Sequence, residues 1–84
     1  MAKFTCNGLD YSFSDVAGQI IVKDNNGDLI AIAEIDLAQE YWSLDYYDDH
    51  GEIMDLFSTT VGVWDFPTSK DLAQYLANTH LQLI

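Results

Sequence analysis

The stretch QIIVKDNNGDLIAIAEI, residues 19–35, decides how the rest of the chain is read. Two runs rich in β-branched and aliphatic residues flank Asp24-Asn25-Asn26-Gly27-Asp28, a cluster of turn formers. A hairpin is the expected result. Its second strand sets Ile30, Ile32 and Glu34 on one face and Leu29, Ala31, Ala33 and Ile35 on the other, because side chains alternate along a strand. Upstream, KFTCNGLDYSF at 3–13 repeats the device: Asn7-Gly8 accepts positive φ at both centres of a tight turn, and Leu9, Tyr11 and Phe13 alternate with Asp10 and Ser12. Downstream, residues 31–42 also fit helical spacing through Ile32, Ile35, Ala38 and Trp42, but a strand followed by a short connection fits the hairpin better. YWSLDYY at 41–47 alternates aromatic with small or polar residues, Asp48-Asp49-His50-Gly51 reads as a turn, and residues 53–60 return as a strand of a third hairpin. Residues 61–66 continue extended, with Gly62 a candidate bulge.

The only proline, Pro67, precedes Thr68-Ser69-Lys70-Asp71. Thr68 can accept an N-terminal amide hydrogen bond and Asp71 suits the positive end of a helix, so a helix starts here. Leu72, Tyr75, Leu76 and Thr79 recur at one-face spacing, and Leu81, Leu83 and Ile84 form an apolar tail expected to pack on the sheet. The fold class is therefore α+β: a meandering antiparallel sheet of about five to six short strands with one C-terminal helix on a face. Eighty-four residues suffice for a single domain spanning 1–84, and no internal repeat or linker stands out.

Composition narrows function by exclusion. Hydrophobic residues make up 49% of the chain, too many for disorder, and there is no 18-residue apolar run, no leader-like segment and one cysteine. A cytoplasmic protein without a membrane span is expected. Fourteen acids stand against three lysines, for a formal net charge of -11. Bare nucleic acid and anionic membrane would both repel such a chain.

The charge is also local. Lys3, Lys23 and Lys70 are matched by Asp10, Asp15 and Asp71, the acids outside the stretch between Lys23 and Lys70. Inside it lie Asp24, Asp28, Glu34, Asp36, Glu40, Asp45, Asp48, Asp49, Glu52, Asp55 and Asp65, with no lysine or arginine. Spread evenly over the roughly 5,000 Å² that a protein of this size exposes, the net charge is about one per 450 Å². Duplex DNA carries about one per 100 Å². Gathered on a third of the surface, the protein's charge density would approach that of DNA.

No nucleotide-binding, nucleophile-elbow, zinc-protease or paired-cysteine motif occurs. Calcium-loop spacing fails from Asp24, where Leu29 stands at the required glycine, and from Asp45, where Tyr47 and His50 interrupt the ligand positions. Cys6 reads as a small buried residue of the first strand, His80 as a favourable charge near a helix C-terminus, and His50 as part of an acidic turn. No metal, cofactor or catalytic residue is expected. What remains is an acidic-aromatic block, in which Tyr41, Trp42, Tyr46, Tyr47, Phe57, Trp64 and Phe66 interleave with Asp45, Asp48, Asp49, Glu52, Asp55 and Asp65. A one-sign face costs stability through like-charge repulsion but attracts a cationic partner over long range. The candidate partner-binding residues are Glu34, Asp36, Glu40, Asp45, Asp48, Asp49, Glu52 and Asp55, with Tyr46 and Tyr47 as packing anchors.

In size, net charge, lack of a catalytic signature and compact α+β pattern, the chain resembles the small acidic inhibitors carried by bacteriophages. That class includes anti-CRISPR proteins, anti-restriction DNA mimics and the inhibitor of uracil-DNA glycosylase. The likeness is one of class and carries over no residue. It implies a non-enzymatic inhibitor that occupies the nucleic-acid groove of a basic protein, such as a nuclease, repair enzyme or CRISPR effector, with carboxylates in the places of phosphates. The alternative is a toxin-immunity protein or small regulatory adaptor that binds a basic partner without imitating DNA.

Overall fold

The computed structural model of the protein describes residues 2–83. The alternating runs pair with their sequence neighbours throughout, giving β1 (Ala2–Cys6), β2 (Leu9–Val16), β3 (Gln19–Asp24), β4 (Leu29–Asp36), β5 (Tyr41–Tyr46) and β6 (Thr59–Gly62). They form one six-stranded antiparallel sheet in the order β1-β2-β3-β4-β5-β6. Helix α1 (Ser69–Leu83) lies across β1 to β4, completing the α+β fold. Its start follows the sequence: the Asp71 amide donates to Thr68 Oγ1 at 3.2 Å while that hydroxyl donates to Asp71 Oδ2 at 2.7 Å. Asn7 and Gly8 take φ of 53° and 78°, as the first hairpin requires.

The register assigns each residue to a face. Phe4, Tyr11, Phe13, Ile20, Val22, Ala31, Ala33, Leu44 and Tyr46 point toward the helix and form the core with Leu72, Ala73, Leu76 and Ala77. Alanine on both surfaces, Ala31 and Ala33 against Ala73 and Ala77, leaves all four with no exposed area. The inward stripe of the helix thus runs through Leu72, Ala73, Leu76, Ala77 and His80. Tyr75, expected on that stripe, is 39% exposed and rests on Phe66, ring centroids 5.0 Å apart. Leu81 and Leu83 are half-buried, and Ile84 lies outside the described residues.

Three expectations need correction at β4 and β6. Ile30 does not share a face with Ile32: Lys23 pairs with Leu29 but Val22 pairs with Ala31, so Ile30 is an extra residue in a bulge and turns into the core. Residues 53–60 do not form one returning strand. Ile53 makes a single bridge to Tyr47, Asp55–Phe57 form a 3-10 turn, and the ladder resumes only where Thr59 pairs with Leu44. Nor is Gly62 a bulge; it ends β6, and its amide donates to Asp65 Oδ2 at 2.9 Å, just before a second 3-10 turn, Val63–Asp65.

The structure also exposes a local repeat. In the β3–β4 loop Asp24 Oδ1 accepts from the amides of Asn26 at 2.9 Å and Asp28 at 3.0 Å. In the β5–β6 loop Asp48 Oδ1 accepts from those of His50 at 2.9 Å and Glu52 at 3.0 Å. The backbone closes both loops alike, Gly27 onto Asp24 and Gly51 onto Asp48, with the glycines at φ of 83° and 79°. Both are Asp-x-x-Gly-acid sequences, and in both the next residue pairs with the one that precedes the first aspartate, Leu29 with Lys23 and Ile53 with Tyr47.

Candidate functional site

The two Asp-x-x-Gly loops stand side by side at one end of the sheet, next to the C-terminal end of α1. They border a concavity of about 470 Å³ lined by Asp24, Asp28, Asp48 and Asp49 together with Leu29, Ile30, Met54, His80 and Leu83. Four carboxylates from two separate hairpins thus surround one apolar floor, with no lysine in the lining. His80 forms part of that floor rather than a surface charge at the helix end. It is 8% exposed, and its Nε2–H donates to the Tyr47 carbonyl at 2.8 Å, since a carbonyl can only accept. That bond ties the helix to the acidic loop.

The expected site residues divide between the two ends of the sheet. Asp48, Asp49 and Glu52 lie at this end, with Asp24 and Asp28 beside them. Glu34 and Asp36 lie toward the other end of β4, roughly 20–26 Å along the strand from Asp28 at the usual rise per residue. Glu40 lies beyond them in the β4–β5 turn, where its carbonyl accepts from the Val63 amide at 3.0 Å. Asp45 stands between the ends on the sheet face away from the helix, and Asp55 begins the 3-10 turn that precedes β6.

Many of these carboxylates already hold the chain in shape. Asp48 caps its loop, and the two amides bonded to its carboxylate hold its pKa below the ordinary aspartate range, with the nearby His50 adding a smaller pull. Asp36 Oδ1 accepts from the Gln39 amide at 3.1 Å, Asp45 Oδ1 from the Ser58 hydroxyl at 2.8 Å, and Glu34 Oε2 from Gln19 Nε2 at 2.9 Å. Asp49, by contrast, has one charged partner among the described residues, His50 at 3.7 Å, in a pair that is largely exposed. Glu40, Glu52 and Asp55 are exposed.

The two tyrosines part company. Tyr46 is 1% exposed, buried opposite Ala31, and cannot serve as an anchor for a partner. Alternation explains this, since Leu44 and Tyr46 share the helix-facing side of β5. Tyr47 points the other way and is half-buried; burial, with the Asp45 charge beside it, pushes its phenol up. The large apolar side chains that do face solvent are elsewhere, notably Leu56 at 95% and Trp64 at 83% exposure. No apolar alternation flags them, because each sits in a 3-10 turn that the sequence pattern assigns to strand or extended chain.

The open sheet face carries both signs. Lys3 and Lys23 flank Ser12 in one row across β1 to β3 with Asp10 on the same face of β2, while Glu34, Asp36 and Asp45 occupy β4 and β5. Among the described residues no lysine lies within ion-pair distance of a carboxylate. The protein exposes 5244 Å², or about 480 Å² for each net charge.

Cys6 is half-buried against the core with its Sγ 4.0 Å from the Gln74 carbonyl. No group of three or more His, Cys, Asp or Glu side chains is disposed to hold a metal among the described residues, and no helix there is long and apolar enough to cross a membrane. Comparison with protein families, with curated proteins and with solved structures finds no match for this chain.

Proposed function

We propose that the protein is a non-enzymatic inhibitor that docks on a basic nucleic-acid-binding protein, its carboxylates standing in for phosphates. The observation that carries this reading is the concavity bordered by Asp24, Asp28, Asp48 and Asp49, where four acids from two hairpins line one hollow with no lysine or arginine among the described residues that line it. A cationic partner docking there would meet carboxylates that have no lysine or arginine beside them. Such binding gains from long-range steering and weakens as salt screens it.

The fold supports the reading in a second way. Each loop carboxylate that caps its own turn does so mainly through Oδ1, so Asp24 and Asp48 are held in place and keep Oδ2 for an outside donor. A fixed carboxylate loses little side-chain entropy when a lysine or arginine binds it.

The test is retention of host proteins on the immobilised protein at low and high salt, followed by competition against the retained protein's own nucleic acid. Binding should fall steeply with salt and should exclude the nucleic acid. Reversal of Asp49 and Glu52 to lysine, which leaves the loop-capping Asp48 intact, should weaken it by about tenfold or more. Unchanged affinity in that double variant removes this surface from the reading. Nucleic acid that stays bound in a ternary complex would instead favour an adaptor or immunity protein, a reading to which the exposed Trp64 and Leu56 also lend support.

A further inference from the structure

The β6 edge of the sheet combines three features found together nowhere else among the described residues: an open strand, highly exposed apolar side chains, and acids without a nearby lysine. β6 ends the strand order, so its outer side has no partner strand. Ile53, Leu56, Phe57 and Trp64, four of the eight large hydrophobics exposed among the described residues, belong to the short segment around it. Asp55 and Asp65 sit in the two 3-10 turns that bracket the strand, and Glu40 lies at its C-terminal end, where its carbonyl accepts from the Val63 amide.

The ladder shows which backbone groups are available. The Val63 amide bonds to the Glu40 carbonyl, which makes Tyr41 and Gly62 a non-hydrogen-bonded pair. Counting back, Val61 and Thr59 turn their amides and carbonyls toward β5, while Thr60 turns both of its groups outward. Gly62 also faces outward, but Asp65 already takes its amide and leaves its carbonyl. An added strand could therefore make a two-bond pair at Thr60 and one further bond to the Gly62 carbonyl. So short a ladder gives modest affinity, and most of the binding must come from the side chains around it.

We propose that this edge receives an extended cationic segment of a partner protein, paired at Thr60, with Leu56 and Trp64 as its apolar anchors and Asp55, Asp65 and Glu40 facing its lysines or arginines. Charge selects the occupant. A second copy of this chain would bring another net -11 to the same edge, whereas a basic strand is attracted to it. Edge strands are commonly guarded by lysine, proline or a covering element, and β6 has no lysine or proline of its own; its guards are its brevity and the Asp65 cap. An indole left 83% exposed beside such an edge has the character of a binding anchor. The inference rests on the reading of a cationic protein partner but moves the main contact away from the two Asp-x-x-Gly loops.

The experiment is a two-dimensional amide NMR titration of the ¹⁵N-labelled protein at low salt with a blocked peptide of alternating lysine and valine. The expected result is the largest shift changes at the Thr60 amide and the Trp64 indole, slowed exchange at Thr60, and about tenfold weaker binding in Trp64→Ala and Leu56→Ala. Leu9→Ala, an exposed hydrophobe on the opposite side of the sheet, should bind like the parent. Changes confined to residues 24–28 and 48–52, or unaltered affinity in both anchor variants, would overturn the edge while leaving the acidic docking reading standing. No shift anywhere at millimolar peptide would overturn both.

Discussion

Replacing Tyr46 by phenylalanine isolates one oxygen whose cost can be worked from the structure. The hydroxyl is fully buried and makes no hydrogen bond of adequate geometry; Thr79 lies near enough to ease the phenolate somewhat, but burial dominates and the pKa is pushed up to about 12. At neutral pH, loss of the oxygen removes an unpaired buried polar group, which costs about 1–3 kcal/mol to bury. Against that stands the small void it leaves, worth under about 1 kcal/mol. Tyr46→Phe should therefore be neutral to about 3 kcal/mol more stable in urea melts at pH 7. The alkaline side gives a second reading. A phenol that ionises later in the folded than in the unfolded state contributes stability that is intact below pH 10 and is lost as pH rises toward the folded pKa. The slope is about 1.4 kcal/mol per pH unit, approaching 3 kcal/mol near pH 12. The phenylalanine variant lacks this component, so the gap between variant and parent should widen from pH 10 upward. Tyr11 and Tyr47, also shifted upward, contribute equally to both proteins and cancel in the difference. A loss of more than about 1 kcal/mol at pH 7 would show that the hydroxyl is well bonded, and parallel curves above pH 10 would show that its pKa is not raised on folding; either result refutes the reasoning.

Asp48→Ala should lower the melting temperature, whereas Asp48→Asn, which keeps the Oδ1 acceptor, should largely preserve it at pH 7; because the folded-state pKa is depressed, the carboxylate's contribution is present above the ordinary aspartate pKa and lost as pH falls through the folded value, so the Asn variant should show a shallower acid limb. His80→Ala strips the Tyr47 carbonyl of its donor and empties part of the core, and should cost about 2–4 kcal/mol in chemical denaturation together with faster amide exchange through residues 47–53. Ala73→Leu places extra volume where no surface is exposed and should cost about 1–3 kcal/mol; a neutral result would mean that the helix can lift off the sheet.

The sheet was legible because its hairpins state alternation and turn chemistry together. Residues 19–35 pair as the expected hairpin except at the Ile30 bulge, which alternation alone does not reveal, and the placement of Asp71 and Thr68 marks the helix start. The third hairpin misleads for a reason visible in the repeated loops. Ala31, the residue after the Ile30 bulge, fits the helix-facing core opposite Val22. The corresponding residue after Met54 is Asp55, which would fall opposite Tyr46 on the same buried side. A carboxylate there would be desolvated, so the chain leaves the sheet for a 3-10 turn before Thr59 rejoins it. Size misleads at the helix, where the large Tyr75 lies out and the small Ala73 and Ala77 lie in. For the acids, composition conveys their number but not their duties. Which aspartates cap a loop depends on spacing, and the recurring Asp-x-x-Gly-acid arrangement at 24–28 and 48–52 is the signal that could have separated the cap Asp48 from the free Asp49.

The same recurrence gives the molecule interchangeable tips. In each loop the first aspartate and the glycine fix the bend, while the side chains between them, Asn25-Asn26 in one and Asp49-His50 in the other, take no part in closing it. Those four positions can vary with little penalty to folding. Installing asparagines at 49 and 50 would give the second tip the chemistry of the first and remove one negative charge, so the potential at this end of the molecule can be retuned residue by residue on an unaltered frame.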